Sequence, residues 1–204
     1  MPVVLAPKAG DRPGPFTFEE YLEWEAAQDE MWELVDGYAV RRSDRWWLDP
    51  VNGTAGATFA HNLLVANVMT ALNNRLRGGP CMALPSDLRT RSRRGNARYP
   101  DITVECGRPA NGSLLSEEPR VLIEVLSPSN TLRKQLELLD DYQTVEAVEQ
   151  VVYIEQAEPS VLSWSRARGD WPWSELNGLD AVLELPSLGV RLPLAEVYEG
   201  LQLG

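Results

Sequence analysis

Two short apolar segments, each carrying one carboxylate, constrain the fold of this chain more than any other feature. Residues 99–104 read YPDITV and residues 121–126 read VLIEVL. Because side chains along a strand alternate between the two faces of a sheet, Glu124 would lie on one face between Leu122 and Leu126. The apolar pattern predicts a strand that is buried on both faces. A charged carboxylate there is unfavourable unless it is paired or binds a cation.

The loop between the two segments indicates how they are arranged. Residues 107–119 are rich in glycine, proline, asparagine and serine, as expected for a connection between neighbouring antiparallel strands. If the strands pair, Asp101 and Glu124 point into one pocket, and two carboxylates in one pocket attract a hard divalent cation. The alternative is a structural ion pair, in which Glu124 meets an arginine. The two segments alone leave both interpretations open.

The order and spacing of five motifs resemble those of the Uma-type restriction endonucleases, a bacterial family within the PD-(D/E)xK nuclease superfamily. The motifs are residues 33–37 (ELVDG), His61, residues 87–89 (DLR), residues 99–101 (YPD) and residues 123–129 (IEVLSPS). The resemblance extends from about residue 16 to the C-terminus and implies a nuclease-like fold with a metal site. Asp101 and Glu124 would then hold Mg²⁺ or Mn²⁺, and the main-chain carbonyl of Leu126 would be a third ligand.

Three further motif residues would support those ligands. The resemblance implies that Asp87 binds the ion through water or holds Arg89, and that His61 and Glu33 orient the ligands or transfer protons. From the residues alone, a lone histidine in the first turn of a helix is a capping or packing residue. Glu33 would likewise be an exposed carboxylate on a strand. Both alternatives stay open.

The chain departs from the superfamily at its lysine. That lysine belongs two residues after Glu124, where this chain has Leu126, and relatives that carry it on the following helix have it where this chain has Leu138. Lys134 lies one helical turn before Leu138, and a long side chain spans much of one turn. We therefore expect Lys134 to be the catalytic cation, with an exposed lysine beside acidic neighbours as the alternative.

One dense basic cluster precedes the first carboxylate. Its five arginines surround a Gly-Asn turn at residues 95–96: Arg89, Arg91, Arg93, Arg94 and Arg98. Arginine forks suit phosphate groups, so the cluster predicts a DNA contact, whereas the alternative is a solvated hairpin tip. The net charge of −11 argues against a protein that coats nucleic acid non-specifically.

The predicted elements follow the order α-β-β-β-α-β, which is that of the nuclease superfamily core. The helices are expected at residues 58–76 and 131–143, the strands within residues 81–126, one of them over 81–90, and a last strand at 150–155. In the second helix, Leu132, Leu136, Leu139 and Gln143 form one row, and Leu138 and Tyr142 widen the apolar stripe that we expect to face the core. A capped helix and a hairpin precede the core, and short strands follow it. This is an α/β, restriction-endonuclease-like single domain over residues 16–204, after a flexible tail at 1–15.

Composition indicates the cellular compartment expected for the protein. Cys81 and Cys106 lack metal-ligand spacing and are expected to be two separate core thiols in a reducing compartment. No apolar run is long enough for a membrane span, and we expect a cytoplasmic protein. The predicted function is metal-dependent hydrolysis of DNA by a homodimer. The alternative is a catalytically inactive nuclease-like module that acts through DNA binding or dimerisation.

Overall fold

A computed structural model describes residues 13–41, 58–126 and 131–203. Most of the expected N-terminal tail and residues 127–129 of the IEVLSPS motif lie outside the described residues, as do the adjacent tryptophans Trp46 and Trp47. The division into a tail and one domain stays a prediction. Within the described residues no helix is long and apolar enough to cross a membrane.

The N-terminal helix and hairpin form as the sequence predicts. Thr17 caps helix α1 (Phe18–Glu25) through a reciprocal capping box with Glu20. These hydrogen bonds hold the pKa of Glu20 below its ordinary value. Strands β1 (Trp32–Val35) and β2 (Tyr38–Arg41) pair across a turn with φ 50° at Asp36 and 83° at Gly37. Positive φ at both central residues is the geometry of a tight hairpin turn.

Two larger sheets share the rest of the chain. The hairpin joins β4 (Thr90–Arg91) and β5 (Ala97–Arg98) in a four-stranded sheet of order β2-β1-β5-β4. The central sheet has the order β10-β9-β8-β7-β6-β3. Its strands in chain order are β3 (Met82–Pro85), β6 (Ile102–Glu105), β7 (Pro119–Leu126), β8 (Gln150–Glu155), β9 (Ser160–Ser165) and β10 (Trp173–Asn177).

One helix covers each face of the central sheet. Helix α2 (Phe59–Leu76) packs on the face that presents Ile123 and Val125. Helix α3 (Leu132–Gln143) packs on the face that presents Leu122 and Leu126. Strands β7 and β8 are parallel, and α3 is the crossover that such a pair requires. The predicted α-β-β-β-α-β core is therefore present as α2, β3, β6, β7, α3 and β8.

The C-terminal extension completes the α2 side of the core. Strands β11 (Val182–Leu185) and β12 (Val190–Pro193) form a hairpin around a 3₁₀ turn at Pro186–Leu188. Helix α4 (Leu194–Val197) follows directly. Buried side chains of all three elements join the cluster that contains the α2 leucines. The C-terminal segment is therefore part of the core.

Two local predictions from periodicity were wrong. The strand expected over residues 81–90 ends at Pro85, because the chain turns and Thr90 pairs with Arg98 in the other sheet. In α3, Leu132 and Leu136 are 70% and 54% exposed, whereas Leu138, Leu139 and Tyr142 are buried. The part of the predicted stripe that carries Leu138, Leu139 and Tyr142 packs in the core, as expected, and only its Leu132 and Leu136 side is turned outward.

The cysteines also differ from the prediction. Cys81 and Cys106 are joined by a disulfide across the edge of the central sheet. The strand register explains this, because Met82 pairs with Glu105 and the next position outward brings residues 81 and 106 together. The prediction of two separate thiols was wrong, and these cysteines give no support to a reducing compartment.

Candidate active site

The pairing of β6 with β7 brings the two motif carboxylates to one end of the strand pair. Ile102, the first residue of β6, lies opposite Ile123, so Asp101 and Glu124 each adjoin that pair along the chain. The Asp101 carboxylate accepts a hydrogen bond from the backbone N–H of Val125, with 2.9 Å between Oδ2 and N. Asp101 is therefore fastened to the strand that carries Glu124, at the residue that follows it.

His61 contacts the same oxygen of Asp101 from the other side. Its Nε2 lies 3.2 Å from Asp101 Oδ2, and the two side chains are only 14% and 15% exposed. The histidine occupies the first turn of α2, where the N-cap Thr58 accepts a hydrogen bond from its backbone N–H at 3.0 Å. The capping geometry of α2 thus places the imidazole against Asp101. Two motifs that are 40 residues apart in the chain meet here.

Glu124 is held from the α3 side of the sheet. The side chain is 4% exposed, and its Oε1 accepts a hydrogen bond from the hydroxyl of Tyr142. Tyr142 was predicted only to widen the apolar stripe of α3. The signal that could have found its role is chemical: a buried tyrosine needs a partner for its hydroxyl, and the strand beneath this helix carries one carboxylate.

The main-chain carbonyl of Leu126 also has a partner that sequence reasoning missed. Gln156 Nε2 donates to that carbonyl at 2.8 Å, and Gln156 Oε1 accepts from the Thr58 hydroxyl at 2.6 Å. The amide of Gln156 therefore ties the end of β7 to the start of α2. A carbonyl oxygen has two lone pairs, so this hydrogen bond is compatible with a role for Leu126 as a ligand.

Glu33 lies in a buried ionic network between the N-terminal sheet and the last turn of α3. The Arg98 guanidinium lies 3.1 Å from the Glu33 carboxylate and 2.6 Å from that of Asp141. Asn96 donates to both oxygens of Asp141 at 2.9 and 3.0 Å. Burial alone would lower the pKa of Arg98, but the two carboxylates raise it above its ordinary value. The structure thus brings Glu33 to Arg98.

The other arginines of the basic cluster are likewise engaged by carboxylates. Arg89 is partly buried, with its side chain 12% exposed, and lies 2.6 Å from Glu25 and 2.5 Å from the Tyr99 hydroxyl. The three at the hairpin tip are about half exposed or more, and they form ion pairs of 2.5–2.9 Å: Arg91 with Glu19, Arg93 with Glu146 and Arg94 with Asp140. Exposed ion pairs contribute little to stability, so the tip arginines can exchange partners at a small cost in free energy. Arg89 and Arg98 cannot do so.

Asp87 and Lys134 are the two remaining expected site residues. Asp87 is exposed in the turn that follows β3, where its backbone N–H donates to the Pro85 carbonyl at 2.9 Å. Lys134 is half-buried in the first turn of α3, and its backbone N–H faces the N-cap hydroxyl of Thr131. Across residues 13–41, 58–126 and 131–203, no group of three or more acidic, histidine or cysteine side chains is arranged to hold a metal ion.

Known proteins share both the sequence pattern and this architecture. A family model described as "Putative restriction endonuclease" (Uma2) matches residues 18–195. The chain belongs to the Uma2 family. An uncharacterized protein of Synechocystis sp. is 27% identical over 194 residues, which cover 90% of this chain and 91% of that relative.

The fold is shared with a solved structure. The crystal structure of a "putative nuclease belonging to DUF820" from Anabaena variabilis matches with a TM-score of 0.68 at 18% identity. The match covers 90% of this chain and 98% of that protein. The expected nuclease-like α/β fold of this Uma2 member is therefore confirmed.

Proposed function

We propose that this Uma2 protein is a nuclease that hydrolyses DNA phosphodiester bonds with Mg²⁺ or Mn²⁺ held by Asp101 and Glu124. The observation that carries the proposal is the position of the Asp101 carboxylate. It is fastened to β7 at Val125, next to Glu124, and is contacted by the family histidine, His61. Membership of the Uma2 family supports the same reaction class.

The donor set has the chemistry that such an ion requires. Hard cations prefer oxygen ligands, and Mg²⁺ is commonly bound by one or two carboxylates while it keeps several waters. Asp101, Glu124 and the Leu126 carbonyl supply only oxygen. Asp87, exposed in its turn, would take part through water.

The side chains around the carboxylates have separate tasks. When bound, the ion supplies an activated water and stabilises charge on the phosphate oxygens. A proton on Nε2 of His61 would donate a hydrogen bond to Asp101 and so orient that carboxylate. Lys134 is the proposed cation that orients the attacking water, because a lysine ammonium is compact and its pKa responds to burial. Glu33 acts through Arg98, whose charge it helps to balance.

The exposed arginines of the hairpin tip would bind the DNA phosphates: Arg91, Arg93 and Arg94. Arg89 and Arg98 instead hold the N-terminal sheet against the rest of the domain. A homodimer and a cytoplasmic location remain part of this proposal. The competing function is an inactive nuclease-like module, and one observation favours it: Leu138, at the position where relatives carry lysine, is 3% exposed in an apolar cluster.

Metal binding and cleavage test the proposal together. Mn²⁺ binding is measured by calorimetry, and cleavage by incubating plasmid and single-stranded DNA with Mn²⁺. Asp101→Asn should abolish both, whereas Glu175→Gln, which changes an exposed carboxylate on β10, should alter neither. A protein that binds Mn²⁺ without cleaving either DNA supports the inactive module. A wild-type protein that binds no Mn²⁺ contradicts the metal site itself.

A further inference from the structure

The hydroxyl of Tyr142 is a buried polar group aimed at a candidate ligand. Tyr142 is 1% exposed and packs among apolar side chains that include Leu122, Leu126 and Leu138. Its hydroxyl donates to Oε1 of Glu124. A hydroxyl buried without a partner is costly, and so is a buried carboxylate. This single contact therefore constrains both side chains at once.

The helix that carries Tyr142 is anchored at the preceding residue. Asp141, also 1% exposed, receives hydrogen bonds from Arg98 at 2.6 Å and from Asn96 at 2.9 and 3.0 Å. Successive helix residues point about 100° apart, because a turn holds 3.6 residues. Asp141 thus faces the N-terminal sheet while Tyr142 faces β7. The last turn of α3 is fixed in rotation by two buried contacts on different sheets.

We propose that Tyr142 is a positioning residue for the metal-binding carboxylate of Glu124, and that the Asp141–Arg98 pair holds Tyr142 in the orientation this requires. The inference rests on the proposed function, since it assigns Glu124 to the ion. In metal sites, partners that hydrogen-bond to a ligand fix its orientation, and losing one typically lowers metal affinity about 10- to 100-fold. Neither Tyr142 nor Asp141 touches the substrate in this scheme.

The chain offers a matched control for the tyrosine. Tyr153 on β8 is also 1% exposed and belongs to the same apolar cluster. Its hydroxyl donates to the main-chain carbonyl of Gln135 at 2.8 Å instead of to a carboxylate. Tyr142→Phe and Tyr153→Phe therefore each remove one hydroxyl while keeping the ring. Tyr153 lies beside Glu124 on the neighbouring strand, so the two rings have similar surroundings, but only the Tyr142 hydroxyl donates to the Glu124 carboxylate.

The test compares metal binding by the two variants. We expect Tyr142→Phe to weaken Mn²⁺ binding about 10- to 100-fold in calorimetry and to change the visible absorption spectrum of bound Co²⁺, which reports ligand geometry. Tyr153→Phe should leave both unchanged, although the two variants should lose similar thermal stability. Equal Mn²⁺ affinity in the two variants overturns the inference, because a purely structural tyrosine would behave in this way.

A second measurement does not depend on metal. A tyrosine hydroxyl proton buried against a carboxylate gives a slowly exchanging, downfield proton resonance, which Tyr142→Phe should remove and Glu124→Gln should shift. A wild-type protein that binds no Mn²⁺ contradicts the proposed function. In that case the resonance still tests whether the Tyr142 hydroxyl donates to Glu124. Its presence supports the placement of Glu124 by Tyr142, and its absence overturns that placement. If Tyr142→Phe does not fold, a shift of the resonance in the Glu124→Gln variant still identifies the contact between Tyr142 and Glu124.

Discussion

The guanidinium of Arg98 lies 2.6 Å from the carboxylate of Asp141, and the two side chains are 7% and 2% exposed. This contact joins the N-terminal sheet to α3, the helix that carries Tyr142. Glu33, 3.1 Å from Arg98, completes a group of two buried carboxylates around one buried cation. The family motif that contains Glu33 is therefore linked to the carboxylate strand through the helix.

Removing the cation of this network should strongly destabilise the fold. We expect Arg98→Met to lower the free energy of unfolding by about 3–5 kcal/mol, because it leaves Glu33 and Asp141 buried without their counter-ion. Arg191→Met removes an exposed partner of Glu184 and should change stability by only about 0–1 kcal/mol. Urea denaturation of both variants provides the measurement. Equal losses of stability in the two variants would mean that the buried network contributes no more than an exposed ion pair.

The raised pKa of Glu155 should make the stability of the protein depend on pH. Burial, and then the charge of Glu158, raises the pKa of Glu155 above its ordinary value. The folded protein thus holds this proton more tightly than the unfolded chain does. The resulting stabilisation is complete below the unfolded pKa and is lost as the pH rises through the folded pKa.

At neutral pH the charged form of Glu155 is therefore unfavourable, and Glu155→Gln should raise the melting temperature. The difference between variant and wild type should shrink as the pH falls to the ordinary pKa of glutamate. Thermal melts at several pH values check this, with Glu175→Gln, on the exposed edge strand, as the control. A variant that is less stable than wild type at neutral pH would show that the carboxylate has a favourable role.

The hairpin tip predicts how DNA binding depends on salt. If Arg91, Arg93 and Arg94 contact phosphates, changing all three to alanine should weaken binding and reduce the slope of log K against log salt by up to about 2.7. Fluorescence anisotropy at several salt concentrations measures the slope, in a catalytically inactive background. Arg133→Ala, which removes an exposed arginine paired with Glu137, is the control. An unchanged slope would mean that the tip arginines serve only their present carboxylate partners.

Lys134 can be tested as the catalytic cation by two substitutions. Lys134→Met and Lys134→Arg should both abolish cleavage while Mn²⁺ binding is kept, because an arginine fork does not replace a compact ammonium. Lys134 lies eight residues before Tyr142, about 12 Å along the helix, so the prediction requires its side chain to lie over the end of β7. Intact cleavage by Lys134→Arg would make the lysine a surface residue.

Local physics explains the elements that the sequence alone determined. The Thr17 capping box and the Asp36–Gly37 turn depend on neighbours within four residues, so their residue types specify them directly. Alternation along residues 121–126 assigned side chains to opposite faces of a buried strand, as observed. The linker composition also predicted the antiparallel pairing of β6 with β7, which brings Asp101 next to the strand that carries Glu124.

Only the tertiary structure decided which distant groups became partners. Arg98 meets Asp141 across 43 residues, and Tyr142 meets Glu124 because α3 lies on β7 with one of two apolar rows inward. Periodicity favoured the row that contains Leu132 and Leu136, which the structure leaves exposed. The choice between the rows is made by the fit of whole helices and sheets, where buried polar groups must find partners. That fit is a property of the packed layers, and no window of the sequence contains it.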